Sequence, residues 1–382
     1  MSNRFVEYED KTLIRLLSIS CVLSNLSQLP IFIEKGITQL LNTPIWLIVI
    51  AYLLIKKMIK FNKYSFFLIG GFLIIFLLCT INTIISNNEY FTSSIFTSLL
   101  ISILICFIGL FSEYRIGNNG LNTIYISYAV SAAIVSLVIY IENLTNKYDI
   151  ESKAYAYASK NSVSLIIATS FVILLFCDFE KNKVFNILRY MILIFEGYVI
   201  ILMKSRATIV GLIICLIYSI LNNKFSPKKR IVIFVATICI IAVLIISPNI
   251  RKVFFENILA GSRDTSDLDS VSSGRISILK TFPQLFNEHW IIGMGADYFE
   301  CFPLSAILQF GLLNGFVILM VSYSPIFVVF KMKVKDYNYE IFVLLCVCYF
   351  INSVFEGLAP IGPGAKCYLL WLLCGIYMKR IY

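Results

Sequence analysis

The 382-residue sequence predicts an all-α polytopic membrane protein. Hydrophobic residues make up 59% of it and charged residues 14%, whereas soluble domains carry roughly a quarter charged residues. Apolar runs of about 20 residues, enough to cross about 30 Å of hydrocarbon, recur along the chain. The Lys and Arg residues stand between those runs rather than on one domain, so the formal net charge of +10 reflects orientation in a bilayer and not a nucleic-acid surface.

The apolar runs give about 12 spans, near 13–33, 40–55, 64–86, 95–111, 123–141, 161–177, 187–203, 207–221, 231–247, 303–330, 341–357 and 366–378. The first is the weakest, interrupted by Ser18, Ser20, Ser24, Asn25, Ser27 and Pro30. The acidic stretch before it, with Glu7, Glu9 and Asp10, is unlike a cleavable signal, so the first span is expected to direct insertion itself. Cations cluster at alternate span ends, as at Lys56, Lys57, Lys60 and Lys63, at Lys228, Lys229 and Arg230, and at Lys331, Lys333 and Lys335. The positive-inside rule then puts both termini in the cytoplasm and one long loop, 248–302, on the outside. Residues 1–382 form a single transmembrane domain with that loop inside it.

Most of the 11 cysteines fall within apolar runs, where a thiol acts as a small hydrophobe. Paired Gly- or Pro-broken helices in two halves, the mark of an inverted-repeat carrier, are not evident. The outside segment 142–160 carries Tyr148, Tyr155 and Tyr157, which read either as interfacial anchors or as platforms for sugar rings.

Polar residues placed against these rules are the candidates for chemistry. Lys204-Ser205-Arg206 pins two cations at an outer span junction with almost no loop. Lys204 reads either as a snorkelling side chain or as an anion ligand, whereas the planar guanidinium of Arg206 suits bidentate phosphate binding. Glu196, in the middle of a span, is costly and must face an internal partner or cavity.

In the long loop, Ser272-Ser273-Gly274 reads as a helix start, with Ile276, Leu279 and Phe282 at helical spacing until Pro283 interrupts it. Arg275 falls in the first turn, beside unpaired N–H donors, a place suited to an anionic phosphate. Arg263 is a further cation, which Asp264, Asp267 and Asp269 can neutralise. His289 reads as part of an interfacial helix end, and Gly293-Met294-Gly295 as a tight turn. Asp297 and Glu300, just before the span at Pro303, are carboxylates able to accept a proton from a sugar hydroxyl.

Ser205-Arg206-Ala207 between outer span ends, Ser273-Gly274-Arg275 in a late outside loop, Gly293-Met294-Gly295 through Phe299, Gln309-Phe310-Gly311-Leu312 and Gly315 together resemble the O-antigen polymerase and ligase superfamily of bacterial envelopes. That resemblance covers about half the chain. It implies a GT-C-like fold and a glycosyltransferase working on undecaprenyl-pyrophosphate-linked sugars at the outer face of the inner membrane. Arg206 and Arg275 would hold the pyrophosphate, with Arg263 and Lys204 as further ligands, and catalysis would fall to Arg275, Arg206, Glu300 and Asp297.

The resemblance implies no cofactor and no metal. The partners it implies are lipid-linked glycan donor and acceptor, membrane lipids and a chain-length regulator protein, with no nucleic acid. Ligases of the superfamily carry a His-Asn about eleven residues before the Gly of the following span, and here that position holds Glu300-Cys301. This departure favours a polymerase over a ligase. A lipid-linked oligosaccharide flippase is the alternative of another class, although a carrier needs no fifty-residue outside loop.

Overall fold

The computed structural model describes residues 9–86, 89–145, 161–176, 183–221, 275–294, 299–332, 337–357 and 365–379. Every regular element among them is helical, and the protein is an all-α polytopic membrane protein. Four helices are long and apolar enough to cross a bilayer, Asn118–Leu144, Val184–Leu202, Phe302–Ser322 and Asn338–Phe355, and shorter apolar helices fill the bundle between them. The expected span 231–247 and the tyrosines of 142–160 lie outside the described residues.

In chain order the helices are α1 (Lys11–Leu26), α2 (Pro30–Glu34), α3 (Thr38–Ile55), α4 (Lys63–Ser86), α5 (Glu89–Ser112), α6 (Asn118–Leu144) and α7 (Asn161–Phe176). They continue with α8 (Lys183–Leu202), α9 (Arg206–Leu221), α10 (Arg275–His289), α11 (Phe302–Ser322), α12 (Ser324–Lys331), α13 (Tyr337–Phe355) and α14 (Tyr368–Met378). Short 3₁₀ turns at Glu113–Arg115 and Ala365–Cys367 precede α6 and α14. Apolar side chains such as Ile194, Met191, Leu313 and Phe330 face outward, as hydrocarbon in place of water allows.

Two of the polar residues that weakened the first span, Ser24 and Asn25, make interhelical bonds. Ser24 Oγ donates to Asn42 Oδ1 at 2.7 Å and accepts from Trp46 Nε1 at 3.0 Å, and Asn42 Nδ2 donates to the Tyr368 hydroxyl at 2.9 Å. Asn25 Nδ2 reaches Ser131 Oγ at 2.8 Å. These bonds tie α1 to α3 and α6, and α3 in turn to α14, the use that membrane interiors make of small polar side chains. The span expected over 13–33 ends at Leu26 because Pro30 starts the separate short helix α2.

All of α14 is buried, and at two glycines it packs directly on the backbone of α5. A Cβ at Gly109 would overlap the Leu372 carbonyl, and one at Gly375 would overlap that of Cys106. Such close approach of small residues is how apolar helices associate where there is no hydrophobic drive between them.

The single span expected over 303–330 is instead broken twice. Within α11, Gly311 has φ 78° and ψ 171°, and Gly315 packs so tightly on Ala306 and Ile307 that a Cβ would collide with their backbone. The two arms of α11 therefore fold toward each other, although length and composition alone would count one span. A second interruption at Tyr323 separates α11 from α12. The Tyr323 hydroxyl shares a 2.7 Å hydrogen bond with Ser353 Oγ, anchoring this joint to α13.

Gly375→Leu is expected to destabilise the α5–α14 contact by more than about 3 kcal/mol, the upper range for overpacking, since backbone cannot yield as a side chain can. Gly70 has nothing near its Cβ position, and Gly70→Ala should change stability by less than about 1 kcal/mol. Thermal unfolding of the two variants in detergent measures the contrast.

Candidate functional site

The site is built on the break in α11. A helix interrupted within an apolar domain leaves peptide groups that must find partners, and the segment after α10 supplies them. The amide of Met294 donates to the Leu308 carbonyl at 2.7 Å, and the amide of Leu312 donates to the Trp290 carbonyl at 2.8 Å. Gly293 (φ 85°) and Gly311 (φ 78°) lie face to face in this exchange, and a Cβ on either would strike the other segment's backbone. The expected Gly293 turn is thus a lock between α10 and α11; Gly295 lies outside the described residues.

Helix α10 begins at Arg275; Ser272-Ser273-Gly274 lie outside the described residues. Pro283 does not end the helix as its residue type suggests, and α10 continues to His289. Pro283 is on the exposed side, where the carbonyl it leaves without an N–H partner need not be buried.

With α10 locked in place, Arg275 Nη2 donates to Glu300 Oε2 at 2.7 Å and to the Phe355 carbonyl at 3.0 Å. Its guanidinium lies 5.7 Å from the centre of the Phe355 ring. One side chain thereby joins the start of α10, the segment leading into α11 and the C-terminal end of α13, where the helix dipole favours a cation.

Behind this pair stands a second one that the sequence reading did not single out. Glu356 follows directly on Phe355, and its Oε2 is 3.7 Å from Lys366 Nζ, with side chains only 10% and 3% exposed. Lys366 sits in the 3₁₀ turn before α14, its carbonyl accepting from the Tyr349 hydroxyl. Burial raises the pKa of Glu356, Lys366 opposes that rise, Glu300 adds to it and Arg275 opposes it. A signal was available: these are the sole charged residues between Ile341 and Met378, but each falls at an apparent span end, where charges are ordinary.

Arg206 opens α9 at the same end of the bundle. Gly211 packs on Cys348, and Cys215 Sγ donates to the Leu344 carbonyl at 3.3 Å. The two helices are therefore antiparallel in a register that sets Arg206 level with Ser353, close to the Phe355 carbonyl bound by Arg275. Ser205 Oγ is buried under this junction, within 2.9 Å of Ser164 Oγ and 3.0 Å of Thr208 Oγ1. Lys204 has φ 51°, a left-handed conformation costing a non-glycine residue about 1 kcal/mol, and strain of this kind gathers at functional sites.

Of the sequence-predicted residues, Arg275 and Glu300 are in direct contact, and Arg206 and Lys204 sit at the same end of the bundle. Arg263 and Asp297 lie outside the described residues. Glu196 is deep in the bundle, accepting from Ser170 Oγ at 2.7 Å. His289 is exposed at the end of α10.

Fold and site together define a polytopic membrane protein with a charged cluster gathered at one end of its helices. A model of the family described as O-antigen ligase matches residues 190–317, about a third of the chain, from within α8 to within α11. Over that stretch the chain is similar to the O-antigen ligase family, a match that supports membership of the O-antigen polymerase/ligase superfamily. No curated protein matches the chain. The matched stretch contains Arg206, Arg275, Glu300 and the Gly293–Gly311 lock.

Lys204→Gly removes the cation and the left-handed strain together, and is expected to unfold no earlier than wild type. Lys204→Ala keeps the strain and should lose stability relative to Lys204→Gly by about 1 kcal/mol. Circular dichroism melts in detergent separate the two; full activity in Lys204→Gly would assign Lys204 to lipid headgroups instead of the substrate.

Proposed function

We propose that the protein is an O-antigen polymerase of the Wzy type, with a GT-C-like bundle in the bacterial inner membrane and both termini in the cytoplasm. It joins undecaprenyl-pyrophosphate-linked repeat units at the outer face, with a chain-length regulator protein as a partner. The observation that carries this reading is Glu300. Where ligases of the superfamily place a histidine, this chain has a carboxylate bonded to Arg275.

On this reading Arg206 and Arg275, with Lys204 and Arg263 beside them, clamp the pyrophosphate of the donor chain. Pyrophosphate is already a good leaving group, and guanidiniums neutralise the charge it gains as the sugar departs. A hydroxyl of the acceptor's terminal sugar attacks the anomeric carbon from the face opposite the pyrophosphate, which inverts that centre. Glu300 is the resting counter-ion of Arg275, displaced when the doubly charged donor group arrives. Asp297 is a further carboxylate on the same approach.

Purified protein given a defined undecaprenyl-pyrophosphate-linked repeat unit is expected to yield a ladder of lipid-linked oligomers. Arg275→Ala should abolish the ladder while costing only about 1–2 kcal/mol of stability, since the Glu300 pair is partly solvated. A deletion strain should carry a single repeat on its lipopolysaccharide core. Normal-length polymer accumulating on the lipid carrier in that strain would instead assign the ligase activity, and a core with no repeat would assign a flippase.

A further inference from the structure

The polymerisation step frees a hydroxyl proton, and of the two candidates from the sequence Glu300 is tied to Arg275 and Asp297 lies outside the described residues. The structure holds a third carboxylate at the same place. Glu356 adjoins the Phe355 carbonyl that Arg275 binds, and its side chain is only 10% exposed, against 38% for Glu300. Its partner Lys366 stands at 3.7 Å, near enough to stabilise a negative charge but beyond the length of a strong hydrogen bond. Lys366 is itself 2% exposed and is set by the bond from Tyr349, whose hydroxyl also lies 3.1 Å from Thr169 Oγ1. A buried lysine is expensive to keep in a membrane domain without use or partner, and the only ion pair it makes among the described residues is with Glu356.

We propose that Glu356, held beside the arginine cluster by Lys366, is the proton acceptor for the attacking sugar hydroxyl. The inference rests on the glycosyl-transfer reading above. As the new bond forms between the acceptor oxygen and the anomeric carbon, the hydroxyl proton passes to the Glu356 carboxylate. The anomeric carbon–oxygen bond to pyrophosphate breaks with its electron pair going to the leaving group. Glu356 then returns its proton to water as the released undecaprenyl pyrophosphate departs. The charged or titratable groups around Glu356 are Lys366, Arg275, Glu300 and the Cys367 thiol. Burial raises its pKa against the pull of Lys366 and Arg275, which makes it a stronger base than an exposed carboxylate. Activity should therefore rise with pH through that raised value, because the base works only when deprotonated.

The test uses purified full-length protein, undecaprenyl pyrophosphate as the binding probe, and initial rates of oligomer formation across pH. Glu356→Gln is expected to bind undecaprenyl pyrophosphate within about twofold of wild type, yet to polymerise on the order of 100-fold more slowly, the usual contribution of a general base. Its residual rate should no longer rise on the acid side, Glu356→Asp should recover part of both, and Glu300→Gln should keep the acid-side rise. To guard against misfolding from an unpaired buried lysine, Glu356→Gln with Lys366→Met removes both charges, and it should fold and remain slow. Near-wild-type rates in Glu356→Gln or the double variant, or an acid-side rise lost in Glu300→Gln instead, would overturn the proposal. Failure of the polymerase reading looks different: wild type would release undecaprenyl pyrophosphate from the donor without making a ladder, and an acid-side rise in that release rate, lost in Glu356→Gln, would still mark Glu356 as the base.

Discussion

The geometry of the charged end of the bundle depends on one backbone exchange, the pairing of the Trp290–Met294 segment with the break in α11. Opening a helix in hydrocarbon exposes peptide groups that cost several kcal/mol each if left alone. Here the two freed positions, at Leu308 and Leu312, are met by Met294 and Trp290. Glycine at both 293 and 311 lets the segments come close enough for this. Because α10 hangs from that lock, the position of Arg275 relative to Glu300 and Phe355 is set by backbone, a stiffer support than any surface ion pair. The same break folds the arms of α11 together and leaves them packed in a small core of their own, with Ile75, Phe302, Ala306, Phe310 and Ile318. The main core lies among the other helices.

Electrostatically the cluster is a row of alternating signs: Arg275 with Glu300, then Glu356 with Lys366. At rest it is neutral, which is what a partly dehydrated site requires, since isolated charges there are strongly penalised. A pyrophosphate arriving at Arg275 would add negative charge next to Glu300 and Glu356. On the proposed reading, Arg206 and Lys204 at the same end of the bundle would supply the positive charge to offset it. The described cluster is thus balanced as it stands, and an anionic ligand would call for additional cations.

Much of this was legible in the sequence, and the failures share a cause. Long apolar helices such as α6, α8 and α13 follow from hydropathy because lipid-facing and core-facing positions are both apolar. Hydropathy could not see that Gly311 turns the chain, since the residues on either side remain equally apolar, and so 303–330 read as one span. Ser24 and Asn25 of α1 looked like part of a weak span because their value lies in partners on α3 and α6, away in sequence. Arg275 was legible because the residues before it read as a helix start, and Lys204 and Arg206 because cations in a short outside junction oppose the usual orientation bias. Glu356 and Lys366 were not, since a charge at a span end is what solvent contact predicts, and only the folded chain turns both inward. The family match over 190–317 does not separate a polymerase from a ligase.

The segment leading into α11 has one more property. Cys301, next to Glu300, is half-buried, whereas Cys21, Cys106, Cys215, Cys346, Cys348, Cys367 and Cys374 are all buried. Burial also raises the pKa of its thiol, with the Leu304 amide and Arg275 pulling the other way, so the thiolate that reacts with alkylating reagents is scarce at neutral pH. Among these cysteines it is the one that a small maleimide can reach from solvent, and its labelling rate reports the electrostatic state of its neighbours. The native sequence therefore carries an alkylatable thiol one residue from the arginine's counter-ion, whose labelling by a fluorescent maleimide would respond to any anion that binds Arg275.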